Sequence, residues 1–234
     1  MCGIVLNRTL PPAHLSSDSK DVVRMGMGLV ATMAALVLGL LVSSAKSFYD
    51  AQSTELTQMS ASVILLDRLL AHYGPETTKA RNLLIGAVAD GIDRTWPHEL
   101  TQPSKLGAPS MTVPEALIAE IEALSPKDDR QRSIQVQAVT MVMSLAHTRW
   151  LMYEQGANSV SKPMLMILVF WLSAIFVSFG LFAPRNATAI TALFVAGLSV
   201  SGAIFLILAM YSPFGGVIGI SSGPLRETLS QLGR

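Results

Sequence analysis

One pentapeptide near the C-terminus matches a pattern of nucleophilic catalysis. Gly219-Ile220-Ser221-Ser222-Gly223 has the G-x-S-x-G order, in which a serine is presented on a sharp turn between a strand and a helix. That chemistry also needs a general base, which in this arrangement is a histidine later in the chain, and no histidine follows His147. A long apolar segment, rather than a strand pattern, precedes the pentapeptide. We therefore interpret the match as accidental and expect no enzyme activity.

The sequence contains few residues that could bind a metal or carry out redox chemistry. The four histidines, His14, His72, His98 and His147, are far apart and form no H-E-x-x-H pair. Cys2 is the sole cysteine, which excludes an intramolecular disulfide and a thiolate cluster. The sequence also has no phosphate-binding loop and no dinucleotide fingerprint. We therefore expect neither a bound metal nor a cofactor.

The uncharged segment between Arg24 and Lys46 carries a stripe of small residues, which is a stronger indication of function than the catalytic or metal-binding candidates. Membrane helices pack closely through small residues, and the same residues can face a pore, where they leave room for water and ions. Both interpretations remain open. No ionisable residue lies inside this segment, between Arg24 and Lys46, which disfavours a proton relay or a pump. At a spacing that places them on one helix face, the stripe residues are Gly28, Thr32, Ala35, Gly39 and Ser43.

Three segments are long and apolar enough to cross a membrane. They cover residues 25–45, 163–184 and 187–210, and each makes a helix of roughly 30 Å or more at about 1.5 Å per residue. Pro184-Arg185-Asn186 joins the last two, a connection that fits an antiparallel helical hairpin with Asn186 as the cap of the second helix. The fold prediction is an all-α integral membrane protein with three transmembrane helices, one plus a C-terminal helical hairpin, in a lipid bilayer.

The charge distribution agrees with a membrane protein and argues against one class of partner. Only 14% of the residues are charged, compared with about 25% in soluble domains. The net charge is +1 at pH 7, and no basic stripe appears outside the apolar segments. Proteins that bind nucleic acids usually carry such a stripe. We therefore expect no nucleic acid partner.

Residues 46–162 predict an extramembrane helical region with two long helices. The first continues the span at 25–45 as far as His72, and Gly74-Pro75 ends it. The second runs from Lys127 to Gln155. Both carry apolar residues at alternating three- and four-residue spacing, which indicates antiparallel packing in a helical core or a seam between subunits. These seams are Leu56, Met59, Val63, Leu66 and Leu70, and then Ile134, Ala138, Met141, Leu145, Thr148 and Met152.

Short segments form the two ends of the chain. Residues 1–24 read as a lead-in without the apolar core of a signal peptide. Residues 211–234 predict an interfacial turn followed by a short amphipathic helix that Ser222-Gly223-Pro224 begins.

Three blocks of the sequence resemble the bacterial bestrophin-like membrane proteins. The first runs from Leu10-Pro11-Pro12 through the first span to Lys46. The second joins Leu65-Leu66-Asp67-Arg68 to His72-Tyr73-Gly74-Pro75-Glu76. The third begins in the second span and reaches the last helix; its motif residues are Pro184, Arg185, Asn186, Pro213, Phe214, Gly216, Pro224, Leu225 and Arg226.

The resemblance carries expectations about topology and function. It implies four spans in two hairpins in the bacterial inner membrane, with the middle region and the C-terminus cytoplasmic. Family members usually begin with a membrane helix ahead of the Leu-Pro block, so we expect a shortened start here. By distant similarity to bestrophins, the resemblance also implies an oligomeric anion channel. The acidic cluster of a bestrophin calcium clasp is missing, so calcium gating is not expected.

Two functional hypotheses follow. The first is a homo-oligomeric channel for small anions or other ions, whose pore is lined by Gly28, Thr32, Gly39 and Ser43. The alternative is a non-conducting scaffold or sensor that binds a partner through its cytoplasmic helices.

Overall fold

The structure is a computed structural model that describes residues 17–96, 111–157, 161–182, 186–215 and 217–233. Its regular elements in these ranges are all helical, as the fold prediction requires. The helices are α1 (Ser17–Tyr73), α2 (Thr78–Thr95), α3 (Thr112–Glu122), α4 (Asp129–Ala157), α5 (Lys162–Phe182), α6 (Ala187–Met210) and α7 (Gly223–Gln231), and a 3₁₀ turn spans Pro75–Thr77.

Three of these helices are long and apolar enough to span a membrane: α1, α5 and α6. The 57 residues of α1 make a helix of roughly 85 Å, which is far more than the bilayer core of about 30 Å needs. The expected continuation of the first span as one helix is thus confirmed. Asn186 caps α6 as predicted, because its Oδ1 accepts a hydrogen bond of 2.8 Å from the Ala189 N–H.

The chain divides into two compact units. We call residues 1–47 and 160–208 the span unit, and residues 48–159 and 209–234 the bundle unit. The first part of α1, all of α5 and most of α6 belong to the span unit. The rest of α1 and helices α2, α3, α4 and α7 belong to the bundle unit.

The core of the bundle unit forms along both predicted seams. On α1, Leu56, Val63, Leu66 and Leu70 are each at most 4% exposed, and Met59 packs against them. On α4, Ala138 and Met152 are buried. Burial of a leucine side chain contributes roughly 1.5–3 kcal/mol to folding. The two seams therefore account for much of the stability of the unit. The seams are therefore part of a packed core within one protomer.

Polar contacts fix the antiparallel arrangement of α1 and α4. Near the end of α1, the Tyr73 carbonyl accepts a hydrogen bond of 2.9 Å from Gln131 Nε2, at the start of α4. Far from that point, Gln52 Nε2 donates to Gln155 Oε1 at 2.9 Å. Early residues of one helix therefore meet late residues of the other, which confirms the predicted antiparallel packing.

A glycine makes the corner between α1 and α2. Gly74 has a φ of +140°, in a region that side-chain-bearing residues rarely adopt. A Cβ atom at this position would lie 2.5 Å from Glu76 Oε2. Pro75 then opens the 3₁₀ turn. The Gly-Pro pair ends the long helix as the sequence predicts.

Candidate functional site

The first span buries one narrow face of its helix. Ala34, Leu41 and Ala45 are each at most 3% exposed, while the residues between them are mostly exposed. Two of these three residues are alanines, whose small side chains allow another helix to approach the α1 backbone closely. Close approach of this kind is how helices associate in lipid.

The predicted small-residue stripe lies on a different face. Gly28, Thr32, Ala35, Gly39 and Ser43 are all exposed in the protomer. At about 100° per residue, the centre of the stripe lies roughly 140° around the helix from the packed face. A Cβ atom added at Gly28 or Gly39 would meet no atom within 4 Å. The helix therefore carries one small face that packs and a second that is left open.

The polar groups of the stripe are few and neutral. Thr32 Oγ1 donates a hydrogen bond of 2.9 Å to the Gly28 carbonyl, one turn earlier in the same helix. The hydroxyl is thus satisfied within α1 and needs no partner from another helix. What the stripe presents is mainly small size and exposed backbone, without ionisable groups.

A cleft of about 590 Å³ lies beside the first residues of the stripe. Met27, Gly28 and Ala31 of α1 form one wall, and Arg24 lies at its charged edge, paired with Asp21 at 3.5 Å. The opposite walls come from the end of α5 and the start of α6 and are mostly apolar: Ser178, Phe179, Phe182, Ala189, Ala192 and Leu193. The small side chains on α1 leave this space open.

The second family block holds the most buried ion pair among the described residues. Arg81 donates two hydrogen bonds to Asp67, from Nε to Oδ1 at 2.7 Å and from Nη2 to Oδ2 at 2.9 Å. The Asp67 side chain is 2% exposed, and the bonded carboxylate raises the pKa of Arg81. The Gly233 N–H also donates to Asp67 Oδ2, at 3.4 Å. This carboxylate therefore joins α1, α2 and the C-terminal segment.

The corner after Tyr73, in the same block, is also built around charge. Burial raises the pKa of the Tyr73 hydroxyl, and the nearby Glu76 raises it further. Lys127 Nζ donates to Glu76 Oε1 at 2.7 Å, and this hydrogen bond lowers the pKa of the Glu76 carboxyl. The contact connects the turn after α1 to the residues before α4.

The third family block folds the C-terminal segment onto Trp96. The Trp96 indole meets Phe214 edge to face, with ring centroids 5.7 Å apart, and its Nε1 donates to the Ile220 carbonyl at 2.8 Å. The Ile220 N–H in turn donates to the Pro213 carbonyl at 2.6 Å. Leu225 is buried in the same core. These motif residues therefore hold the segment before α7 in place.

The remaining motif residues differ in their surroundings. Pro224 is at the start of α7, and its carbonyl accepts from Thr228 Oγ1 at 2.9 Å. Ser222 is the N-cap residue of α7, as the sequence predicts, and its Oγ accepts a hydrogen bond of 2.9 Å from Arg226 Nε instead of one from the helix backbone. Pro184, Arg185, Gly216 and the lead-in up to residue 16 lie outside the described residues.

The serine of the G-x-S-x-G match lies in the irregular segment before α7. Its Oγ accepts a hydrogen bond of 3.0 Å from the Gly223 N–H. The segment before it is a turn that follows a helix, so the strand that the catalytic motif requires is not in this part of the described chain.

Two polar features of the bundle unit escaped the sequence analysis. Arg149 lies on the apolar face of α4, where it lines a partly open cavity together with Leu145 and Met152. Its spacing from those seam residues, four and three positions, was a signal that could have revealed it. Gln52 is completely buried on α1, and its spacing of four residues from Leu56 carries the same signal. A polar residue three or four positions from seam residues is expected to lie beside the packed core.

Comparison with known proteins yields one finding of similarity. The family model of the bestrophin-like domain matches residues 1–225, which is nearly the whole chain. Searches of curated proteins and of solved structures each returned no match. The three sequence blocks, the three apolar helices and the match over residues 1–225 agree, and the chain belongs to the bestrophin-like family.

Proposed function

We propose that the protein is an oligomeric channel for ions, with small anions as the favoured class, and that the first span lines its pore. The observation that carries the proposal is the second face of α1. Gly28, Thr32, Ala35, Gly39 and Ser43 are exposed in the protomer, although the helix packs through Ala34, Leu41 and Ala45. Copies of the chain arranged around an axis would bring these small faces together.

The sparse burial of the spans supports an oligomer. In the most apolar window of each span, 11% of the α1 residues, 11% of the α5 residues and 6% of the α6 residues are buried. Lipid can cover apolar side chains without help from other protomers, but it gives exposed glycine backbone little to pack against. Contact with other copies of α1, or a water-filled path between them, accounts for the small size of the stripe.

The charges favour anions over cations. The stripe itself is neutral, and the nearest charged residues at its two ends in the sequence are basic, Arg24 and Lys46. Basic groups at the mouths of a neutral pore attract anions and repel cations. No acid or histidine lies within the spans to carry protons. The proposal includes no catalytic step, and Ser221 has no role in it.

The proposed location is the bacterial inner membrane, with the bundle unit and the C-terminus in the cytoplasm. Family membership supports this topology. A phosphatase or fluorescent reporter fused after Arg234 should behave as a cytoplasmic one. A periplasmic reading would overturn the orientation but leave the pore untouched.

Ion flux in liposomes tests the channel. The purified protein should pass chloride faster than potassium, and Gly39→Leu should block the flux because a leucine fills the stripe at its centre. Gly202→Leu on α6 is the matched control, because a Cβ atom there also meets nothing within 4 Å and the residue lies outside the stripe. It should leave the flux near the wild-type rate. Absence of flux from folded oligomer, or equal block by both variants, contradicts the proposal.

One observation favours the alternative of a non-conducting scaffold. Helix α4 exposes apolar side chains seven residues apart, with Val136 62%, Met143 52% and Trp150 38% exposed. A stripe at this spacing fits an apolar helix of a partner protein. Under this alternative, Val136→Ser combined with Met143→Ser disrupts a complex while the protein passes no ions. Flux that depends on Gly39 rejects it as the main function.

A further inference from the structure

The bundle unit contains a partly open cavity of about 180 Å³ between five helices. Most of its wall is apolar and comes from the buried side chains of the core, including Leu56, Val63, Leu117, Val142 and Leu225. An engineered cavity of about 150 Å³ with similar walls binds benzene. The space therefore suits an apolar group of roughly six carbon atoms.

One side of the cavity is cationic. Arg149 on α4 and Arg94 on α2 both contribute to its wall. The guanidinium of Arg149 lies over the α2 backbone at Gly91, where an added Cβ atom would be 3.5 Å from Nη1. This distance places the guanidinium in van der Waals range of α2. The two arginines bring two positive charges to one edge of a mostly apolar space, and Asp90 contributes one carboxylate to the same wall.

These charges are poorly compensated within the described part of the chain. Arg94 pairs with Asp90 at 3.8 Å, but both side chains are about two-thirds exposed, so the pair is weak. No described carboxylate forms an ion pair with Arg149. Burial lowers the pKa of Arg149, and the charge of Arg94 lowers it further. A guanidinium nevertheless remains charged at neutral pH. The charge on Arg149 therefore favours the binding of an anion at this edge of the cavity.

From this geometry we infer that the cavity binds a small amphipathic carboxylate, with its apolar body among the core side chains and its carboxylate on Arg149. The planar guanidinium can hold both carboxylate oxygens at once. A short fatty acid such as hexanoate has an apolar body that fits the cavity and a negative charge that complements Arg149. The inference concerns the bundle unit and is independent of ion conduction.

A ligand here would stabilise the bundle. The walls come from α1, α2, α3, α4 and α7, so an occupant contacts every helix of the unit. Because a bound ligand favours the folded state by mass action, the thermal midpoint should rise with ligand concentration. This readout of stability needs no ion flux.

Calorimetric titration of the full chain in detergent tests the site. Hexanoate should bind at least about tenfold more tightly than the neutral hexanamide, because a hydrogen-bonded charge pair is lost with the amide. The amide also controls for partition into the micelle. Arg149→Gln should remove the preference for the carboxylate, whereas Arg130→Gln should preserve it, because Arg130 lies on the same helix, is exposed and does not line the cavity.

A second variant keeps the test decisive if Arg149→Gln fails to fold. Ala87 lines the cavity and is half-buried, so Ala87→Leu fills space without removing a charge. It should weaken hexanoate and hexanamide alike by about tenfold or more, since about three buried carbons lose their place. No saturable hexanoate binding to the wild type, or unchanged binding in Arg149→Gln or in Ala87→Leu, overturns the inference.

Discussion

The two units of this chain meet their surroundings in different ways. The bundle unit buries rows of leucine, isoleucine and valine from several helices, together with a bidentate ion pair. The span unit buries few residues in its three long apolar helices, among them Ala34, Leu41, Leu168, Ile175 and Ile207. Its large side chains face outward: Leu36 is 71% exposed and Phe170 is 68% exposed.

This difference shows what each unit needs for stability. In water, burial of apolar surface drives folding, so the bundle unit needs a full core. In lipid that drive is absent between helices, and packing depends on close contacts of small residues. The span unit has one such contact face on α1 and another that remains open. We therefore expect the bundle unit to be stable as a protomer and the span unit to be completed by other copies.

The largest effect should come from Asp67→Asn in the bundle unit. The change leaves Arg81, which is 20% exposed, without its charged partner, and loss of one member of a buried pair costs about 3 kcal/mol or more. The thermal midpoint in detergent should fall by roughly 6–12 °C. As the control, Lys79→Gln breaks a pair with Glu120 in which Lys79 is 74% exposed, and it should shift stability by less than about 0.5 kcal/mol. Equal shifts would show that the Asp67 pair contributes no more than a surface pair.

The second-largest effect should come from replacing a leucine by alanine in the bundle unit, and the same replacement in the span unit should have little effect. Leu66→Ala removes a fully buried side chain of the bundle core and should cost about 2–5 kcal/mol. Leu198→Ala removes a side chain of α6 that is 64% exposed, and it should cost less than about 0.5 kcal/mol. Thermal unfolding followed by circular dichroism checks both. A large loss for Leu198→Ala would mean that this side of α6 packs against protein in the assembled state.

A smaller effect should come from the buried amide of the bundle unit. Gln155→Ala removes the acceptor of the Gln52 amide and the donor to Glu55 Oε1, which lies at 3.3 Å. A buried donor without a partner costs about 1–3 kcal/mol. Gln52 Oε1 already has no protein partner, so Gln52→Leu combined with Gln155→Leu should cost less than Gln155→Ala alone. The reverse order in the thermal midpoints would show that the amide contact contributes net stability.

The smallest effect concerns the pH dependence at the Gly74 corner. The folded-state pKa of Glu76 is lowered by Lys127. The stabilisation is therefore fully present above the ordinary carboxyl pKa of about 4.3 and is lost as the pH falls through the lowered value. Lys127→Met should remove this part of the acid dependence of the thermal midpoint, and the exposed Arg130→Met should not. Identical acid profiles for wild type and Lys127→Met would contradict the assignment.

Local periodicity made much of the helical architecture predictable. Residues 187–210 as the last span and the seam from Leu56 to Leu70 both follow from apolar spacing and from the Pro and Gly residues that end helices. The Gly74 corner and the Asn186 cap were predictable for the same reason. Each of these features depends on a few residues that are neighbours in the sequence.

Features that depend on partner choice could not be predicted. The first span is apolar on all sides, so its pattern does not indicate which face packs. Ala34 and Ala45 are as small as the stripe residues, and only the structure separates the two faces. The pairing of Asp67 with Arg81 likewise needs the arrangement of α1 and α2, as does the position of Arg149 beside Gly91.

Cross-linking of neighbouring alanines tests most directly whether the open face of α1 meets other copies. In a Cys2→Ser background, Ala35→Cys places a thiol on the stripe, and Ala34→Cys places one on the packed face, which is 3% exposed. A short bismaleimide applied to membranes should link Ala35→Cys protomers into dimers and leave Ala34→Cys as monomer. Cross-linking at Ala34 alone, or at neither position in folded protein, would contradict the account of a small-residue face shared between protomers.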